Sequence, residues 1–151
     1  MTIHYICRGN AFRSIIADAY TKSLNISDLS VFSSGSSAAA HKEINIPTYK
    51  RTLELISDHD IKDYAKDHYA DDTTQELIDA SDMVVCVNQI VFDELVANGL
   101  RLPIDTYLWD ITDIGEPGRI TKDDTTLSSY YEDVFVEIST NIDKLLRELT
   151  V

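Results

Sequence analysis

Short apolar segments alternate with segments of helical periodicity along this chain, and the alternation restricts the folds open to it. Residues 83–87 are a continuous apolar run, as expected for a parallel strand that is buried on both faces. Three further strands are predicted at 3–7, 29–33 and 106–109. Helical spacing of apolar residues predicts helices at 14–24, 48–58, 74–80, 91–98 and 128–149. Strands separated by helices favour a parallel sheet covered on both faces, so the sequence predicts one α/β domain over residues 1–151.

The charge balance excludes two kinds of partner. Lys and Arg total 13 against 26 acidic residues, which gives a net charge of -13, and no basic stripe is present. Nucleic-acid backbones and anionic membranes are therefore not expected to bind. The acidic stretch at 58–72 is predicted to be irregular and exposed. An anionic substrate would need a strongly local positive site.

Three features predict a cytoplasmic location. No apolar run approaches the roughly 18 residues of a membrane span. The first seven residues lack the basic start and long apolar stretch of a secretory signal. Two cysteines, Cys7 and Cys86, are too few for a disulfide framework and fit a reducing compartment. Cys86, inside the apolar run, is expected to be a buried core thiol.

The junction of the first predicted strand and helix carries a phosphate-binding pattern. It reads Cys-Arg-Gly-Asn-Ala-Phe-Arg-Ser over residues 7–14. Ligands of parallel sheets bind at the carboxyl ends of strands. Successive N–H groups at a helix N-terminus form a cradle for anions. Gly9 permits the tight turn that this requires, and Asn10 tolerates a left-handed conformation.

Cys7 and Arg13 give this loop its chemistry. Arg13 can hold two phosphoryl oxygens in a bidentate grip. Cys7 lies where the helix dipole and Arg13 favour its thiolate, which is a nucleophile at neutral pH. Ser14 can donate a hydrogen bond to the sulfur. We therefore expect Cys7 to attack a phosphorus atom that Arg13 holds.

The segment resembles the phosphate-binding loop of the low-molecular-weight protein-tyrosine phosphatases, whose signature is Cys-x5-Arg-Ser, usually with Gly-Asn inside it. The place of the loop near the N-terminus, the chain length and the order of elements agree with that family, so the resemblance covers essentially the whole chain. It implies a flavodoxin-like four-stranded parallel sheet with helices on both faces. It also implies hydrolysis of phosphotyrosine on phosphorylated protein substrates through a phosphocysteine intermediate. No cofactor and no metal site are expected.

The resemblance assigns further residues one at a time. The substrate-binding positions that it implies are Arg8, Gly9, Asn10, Ala11, Phe12 and Ser14. Ser33 matches a serine that hydrogen-bonds the loop asparagine, and His68 matches a histidine of the same supporting network.

Three loop positions depart from the family pattern. Phe12 stands where a second cysteine usually protects the nucleophile by forming a disulfide. Arg8 occupies a position that is more often apolar, where it either adds positive potential to the pocket or points to solvent. Ala11 is neither the usual isoleucine nor the threonine of relatives that act on phosphoarginine.

The family takes its general acid from an Asp-Pro loop before the last helix. Here residues 110–124 form the corresponding polar loop, and Asp113 is the best match by its spacing from the preceding strand. Asp110 and Glu116 are rivals, since Glu116 precedes a proline and Asp113 does not. Tyr49 and Trp109 are the aromatic residues expected at the rim.

Three alternative functions stay open at this point. A protein-arginine phosphatase would use the same loop to hydrolyse the P–N bond of phosphoarginine. A catalytically weak phosphate-binding module would explain the altered acid loop. A phosphocarrier is disfavoured because such loops lack the gripping arginine.

Overall fold

Four parallel strands form one sheet within the described part of the chain, residues 1–111 and 124–149 of a computed structural model. The strands are β1 (Thr2–Cys7), β2 (Ser30–Gly35), β3 (Met83–Cys86) and β4 (Tyr107–Leu108). Their order is β2-β1-β3-β4, and every neighbouring pair is parallel. This is the predicted flavodoxin-like four-stranded sheet, and the prediction is confirmed.

Five α-helices accompany the sheet in the described residues. They are α1 (Arg13–Ser23), α2 (Ile46–Asp58), α3 (Gln75–Asp79), α4 (Gln89–Ala97) and α5 (Asp124–Leu149). Thr74 and Asn88 cap α3 and α4, since their side-chain oxygens accept the N–H groups of Leu77 and Val91. None of the described helices, α5 included, is long and apolar enough to cross a membrane.

The two faces of the sheet bury alternate residues of β1. Ile3 and Tyr5 face α1 and α5, where Val134, Ile138, Ile142 and Leu145 form a buried stripe. Ile6 faces the other way, toward Val91 and Leu95 of α4. The predicted periodicity of the last helix therefore corresponds to its packing, because i and i+4 positions share one helix face.

Gly35 lets the end of β2 lie directly beside the loop that follows β1. It pairs with Cys7 in the strand register. A Cβ atom on Gly35 would lie 2.5 Å from the carbonyl oxygen of Arg8 and 2.9 Å from the backbone nitrogen of Asn10. Only glycine fits this approach of two backbones, so the residue fixes the position of the loop after Cys7.

Candidate active site

Residues 8–12 connect the end of β1 to the start of α1 and wrap around a sulfur atom. Cys7 is the last residue of β1, and Arg13 is the first of α1. Asn10 adopts a left-handed backbone with φ 50°, as its sequence position suggested. The Asn10 backbone N–H donates to the Cys7 Sγ over 3.2 Å. The turn thereby directs a backbone dipole at the sulfur.

Two side chains complete the surroundings of the Cys7 sulfur. The Ser14 Oγ lies 2.9 Å from the Cys7 Sγ. The Asn10 Nδ2 donates to that same Ser14 Oγ over 2.8 Å. All three residues are buried. The structure therefore brings together the nucleophile candidate and two of its predicted supporting residues.

Arg13 lies beneath this loop and is 1% exposed. Its Nη1 donates to the carbonyl oxygen of Ile111 over 2.7 Å. Asn88 donates to the same oxygen over 3.1 Å. Ile111 is the last described residue before the segment that carries two of the candidate acids. Arg13 therefore contacts both the loop and the start of that segment.

A cavity of about 210 Å³ opens above the loop. It is lined by Cys7, Gly9, Ala11, Phe12, Arg13, Asn45 and Thr48. Sequence reasoning missed Asn45 and Thr48, which come from the start of α2. The expected rim residues are not among the lining: Tyr49 stacks on Tyr69 with centroids 3.9 Å apart, and the Trp109 ring lies 5.6 Å from Tyr5.

A larger cavity of about 1020 Å³ lies along Lys66, His68 and Asp71. Neither Cys7 nor Arg13 lines it. We place the candidate active site in the smaller cavity, because both Cys7 and Arg13 line it.

The first supporting branch runs from Asn10 to a buried carboxylate. The Asn10 Nδ2 donates to the Ser33 Oγ over 3.1 Å, and the Ser33 hydroxyl donates to the Asp18 Oδ2 over 2.9 Å. Lys22 pairs with the other Asp18 oxygen at 2.6 Å. Burial raises the pKa of Asp18, although Lys22 and Ser33 stabilise its charge. Ser33 thus lies where the resemblance placed it.

The second branch contains Lys66, which sequence reasoning missed. Its Nζ donates to the Asn10 Oδ1 over 2.9 Å, to the Ser33 carbonyl over 3.2 Å and to the Asp71 Oδ2 over 2.8 Å. The side chain is only 9% exposed. The one available signal was a lysine inside an acidic segment, which does not reveal a contact made 56 residues away.

Among the described residues, His68 is connected to this network through Asp71. Its side chain is 61% exposed, with Nδ1 2.7 Å from Asp67 and Nε2 2.8 Å from the Asp71 Oδ2. The hydrogen bond to Asp67 and the charge of Asp71 raise the pKa of His68. Asn10 receives its direct contacts from Lys66 and from the Asp71 backbone N–H instead.

The Arg8 side chain lies outside the cavity lining. Its Nε pairs with the Glu94 Oε2 at 3.2 Å, and the side chain is half exposed. The backbone of Arg8 holds the loop in place, because its carbonyl accepts the N–H of Ser37 over 2.9 Å. Arg8 was predicted either to add positive potential to the pocket or to point to solvent. In the structure its side chain points away from the pocket, and Glu94 of α4 pairs with its charge.

Phe12 and Ala11 attach the loop to the helices. The Phe12 ring packs against Tyr131 of α5 with centroids 4.5 Å apart, and it is buried. The Ala11 carbonyl accepts the Thr52 hydroxyl of α2 over 2.8 Å. These residues thus position the loop as well as lining its cavity.

The remaining sequence candidates are distributed as follows. Asp110 is described and exposed, whereas Asp113 and Glu116 lie outside the described residues. Cys86 is fully buried in β3, and burial raises its pKa to about 12. Within the described part of the chain no three His, Cys, Asp or Glu side chains come together as a metal site.

A strand-ending cysteine beneath a helix N-terminus, with an arginine opening that helix, defines a cysteine-based phosphatase. Residues 2–151 match the family model described as low molecular weight phosphotyrosine protein phosphatase. The chain therefore belongs to that family, and the resemblance noted in its sequence is confirmed. A search of curated protein sequences finds no match.

Solved structures with the same fold include phosphatases of two specificities. A low molecular weight protein tyrosine phosphatase from T. tengcongensis is 22% identical with a TM-score of 0.70, over 98% of this chain and 99% of that one. The YwlE arginine phosphatase from Geobacillus stearothermophilus is 20% identical with a TM-score of 0.66, over 99% and 92%. The drosophila arginine phosphatase DARP is 16% identical with a TM-score of 0.75, over 100% and 99%. These likenesses establish the fold.

Proposed function

We propose that this phosphatase hydrolyses phosphotyrosine on proteins through a phosphocysteine intermediate on Cys7. The observation that carries the proposal is the setting of the Cys7 sulfur. It accepts the Asn10 N–H, contacts the Ser14 hydroxyl and shares a cavity with Arg13. An N–H donor and a hydroxyl at the sulfur suit a cysteine nucleophile, and Arg13 supplies a cation to the cavity in a chain of net charge -13.

The first half of the reaction transfers the phosphoryl group to sulfur. The loop amides and Arg13 hold the phosphoryl oxygens, and the Cys7 thiolate attacks the phosphorus in line with the ester oxygen. An S–P bond forms as the O–P bond breaks. The departing oxygen takes a proton from Asp113, the proposed general acid.

The second half returns the enzyme to its starting state. A water oxygen attacks the phosphorus and gives a proton to the Asp113 carboxylate. The S–P bond breaks, and inorganic phosphate leaves. Ser14 stabilises the departing thiolate through the hydrogen bond at 2.9 Å. Protons and charge balance over the cycle.

The lining of the cavity supports a second candidate substrate, phosphoarginine. Asn45 and Thr48, two residues with polar side chains, line the cavity. Their oxygens can accept N–H groups, which a guanidinium has and a phenol ring lacks. Turnover of two peptides that differ only in phosphotyrosine or phosphoarginine decides between the substrates. Preference for phosphoarginine that is lost in Asn45→Ala would favour the second.

Replacement of the nucleophile tests the chemistry directly. Cys7→Ser should abolish hydrolysis of p-nitrophenyl phosphate and of phosphotyrosine peptide, yet still bind vanadate in calorimetry. Cys86→Ala is the matched control and should retain turnover, because its thiol lies in the core. Arg13→Lys should lose most activity, since an ammonium group cannot make the two-pronged grip. Near-normal turnover by Cys7→Ser would refute the proposal.

A further inference from the structure

We infer that Lys66 is a positioning residue for the nucleophile, acting through Asn10 and Ser14. It orients the Asn10 amide so that the Ser14 hydroxyl proton points at the Cys7 sulfur. The inference rests on the proposed function in one respect, that Cys7 is the reactive thiolate. It assigns to Lys66 a direct contact with the loop asparagine, within the supporting network in which the sequence analysis placed His68.

Two donors fix which end of the Asn10 amide faces outward. The Lys66 Nζ lies 2.9 Å from the Asn10 Oδ1, and the Asp71 backbone N–H donates to the same atom over 3.0 Å. Both groups only donate. A rotated amide would bring its NH2 group against an ammonium and an amide proton. The observed orientation is therefore the one that these contacts permit.

That orientation settles the direction of the hydrogen bonds at the sulfur. The two hydrogens of Asn10 Nδ2 go to Ser14 and Ser33. The Ser14 Oγ thus accepts from Asn10, and its own proton is left to donate to the Cys7 Sγ at 2.9 Å. In the rotated amide, the Asn10 oxygen would face Ser14 and take that proton from the sulfur. Lys66 opposes this loss.

The second serine follows the same direction. The Ser33 Oγ accepts from Asn10 and donates its proton to the Asp18 carboxylate. The chain of donors thus begins at a cation, Lys66, and divides toward two anionic acceptors, the Cys7 thiolate and Asp18. Asp71, 2.8 Å from the Lys66 Nζ, holds that cation in place. Charge-assisted bonds of this kind are stronger than neutral ones.

In the described part of the chain, two other basic side chains on this side of the loop bond to different partners. His68 is exposed and bonds to Asp67 and Asp71. Lys22 pairs with Asp18 on the far side of Ser33. The Lys66 ammonium is the described side-chain cation that bonds to Asn10, and its low exposure keeps water from replacing it.

The test measures the Cys7 thiolate without any substrate. Iodoacetamide alkylation of Cys7 is followed by mass spectrometry across pH, in native protein. We expect Lys66→Met to shift the profile about one unit upward, a loss of about tenfold in thiolate at a fixed acidic pH. Lys66→Arg should restore most of the rate. Lys62→Met removes the same charge from the exposed surface of this segment and should leave the profile unchanged.

A double-mutant cycle separates orientation from simple charge. If Lys66 acts through the Ser14 hydroxyl, Lys66→Met should change alkylation by less than about twofold in a Ser14→Ala background. An undiminished tenfold effect there would overturn the inference, as would a wild-type profile for a Lys66→Met protein. Thermal melting identifies a misfolded Lys66→Met protein, in which case Lys66→Ala takes its place in both backgrounds with the same expected and contrary outcomes. In steady-state kinetics on p-nitrophenyl phosphate, Lys66→Met should lower kcat by a larger factor than it changes KM.

Failure of the proposed function would be recognisable separately. Wild-type protein that is alkylated at Cys7 but hydrolyses no phosphate ester would refute the proposed function. The alkylation profiles of the Lys66 variants would still test the inference in that case.

Discussion

At the scale of residues, Phe12 packs the loop that follows Cys7 against the last helix, at a position where the resemblance would expect a second cysteine. The Phe12 ring packs against the ring of Tyr131, with centroids 4.5 Å apart. A cysteine at position 12 could form a disulfide with Cys7, which phenylalanine cannot. The other thiol of the chain, Cys86, is fully buried on β3 beside Ile6 of β1. Burial holds its pKa near 12, so it is a poor partner for disulfide exchange.

We therefore predict that oxidation of Cys7 is poorly reversible. Peroxide converts a thiolate to sulfenic acid, which a neighbouring thiol normally traps as a disulfide before further oxidation. Phe12 cannot do so. Activity lost to peroxide should not return with dithiothreitol, and mass spectrometry should find sulfinic or sulfonic acid at Cys7. Full recovery together with a Cys7–Cys86 disulfide would contradict this prediction.

The proposed acid makes a prediction that depends on the leaving group. Asp113→Asn should slow phenyl phosphate hydrolysis by about 10²–10⁴-fold and p-nitrophenyl phosphate much less, since nitrophenolate departs without a proton more easily. Steady-state kinetics on both esters measures the difference. Asp110→Asn and Glu116→Gln are the matched controls and should show little selectivity. A selective loss in Glu116→Gln alone would move the acid to that residue.

At the scale of elements, the loop depends on how closely β2 approaches the end of β1. We predict that Gly35→Ala lowers the free energy of unfolding and weakens vanadate binding, because the new Cβ would meet backbone atoms of Arg8 and Asn10 that cannot turn aside. The expected loss of stability is about 1–3 kcal/mol in urea titrations. Gly9→Ala is the control for stability, since its Cβ would meet the side chain of Asn45, which can rotate. Equal losses would argue against the backbone explanation.

The alternation of apolar and helical segments predicted the parallel sheet, and the Cys-x5-Arg-Ser pattern predicted the loop, because both are local features of the sequence. The continuous apolar run at 83–87 and the i, i+4 spacing of apolar residues on α5 are visible in the sequence, and both predict the burial that the structure shows. The partners of Arg8 and Lys66 could not be predicted in this way. Glu94 is 86 residues from Arg8, and Asn10 is 56 residues from Lys66, so packing alone decides those contacts. Asn45 and Thr48 were missed for the same reason.

At the scale of the whole molecule, stability should depend on a buried histidine that does not line the active-site cavity. His4 is fully buried in β1, with Nε2 2.6 Å from the Ser34 Oγ and its ring 4.3 Å from that of Phe32. Burial, followed by the charge of Lys66, lowers its pKa from 6.5 to about 3. His4 is therefore neutral in the fold, while the unfolded chain protonates it near pH 6.5.

The sign of the pH effect follows from that difference. Between pH 6.5 and 3 the unfolded state binds the extra proton, so stability falls as the pH is lowered and His4 has no effect above this window. From pH 6.5 to 5.0 the contribution is about 2 kcal/mol. Asp18, whose pKa is raised, acts in the opposite direction. Hence the effect of His4 must be measured as a difference between variants.

We predict that His4→Gln removes most of that pH dependence. Urea titrations at pH 7.5 and 5.0 should show a loss of stability on acidification that is smaller in the variant than in wild type by about 2 kcal/mol. His41 is less buried than His4, so the control variant His41→Gln should keep the wild-type dependence of stability on pH. Identical losses in His4→Gln and wild type would show that the fold does not exclude the proton from His4.

The bond from Arg13 to the Ile111 carbonyl has a consequence for engineering. Its acceptor is a main-chain oxygen, which Asn88 also holds, so the anchor does not depend on any side chain at position 111. We expect that the hydrogen bond from Arg13 to this oxygen is kept when the residues that follow are exchanged for those of another family member. Chimeras joined at Ile111 should therefore be a practical route to altered substrate preference on an unchanged nucleophile.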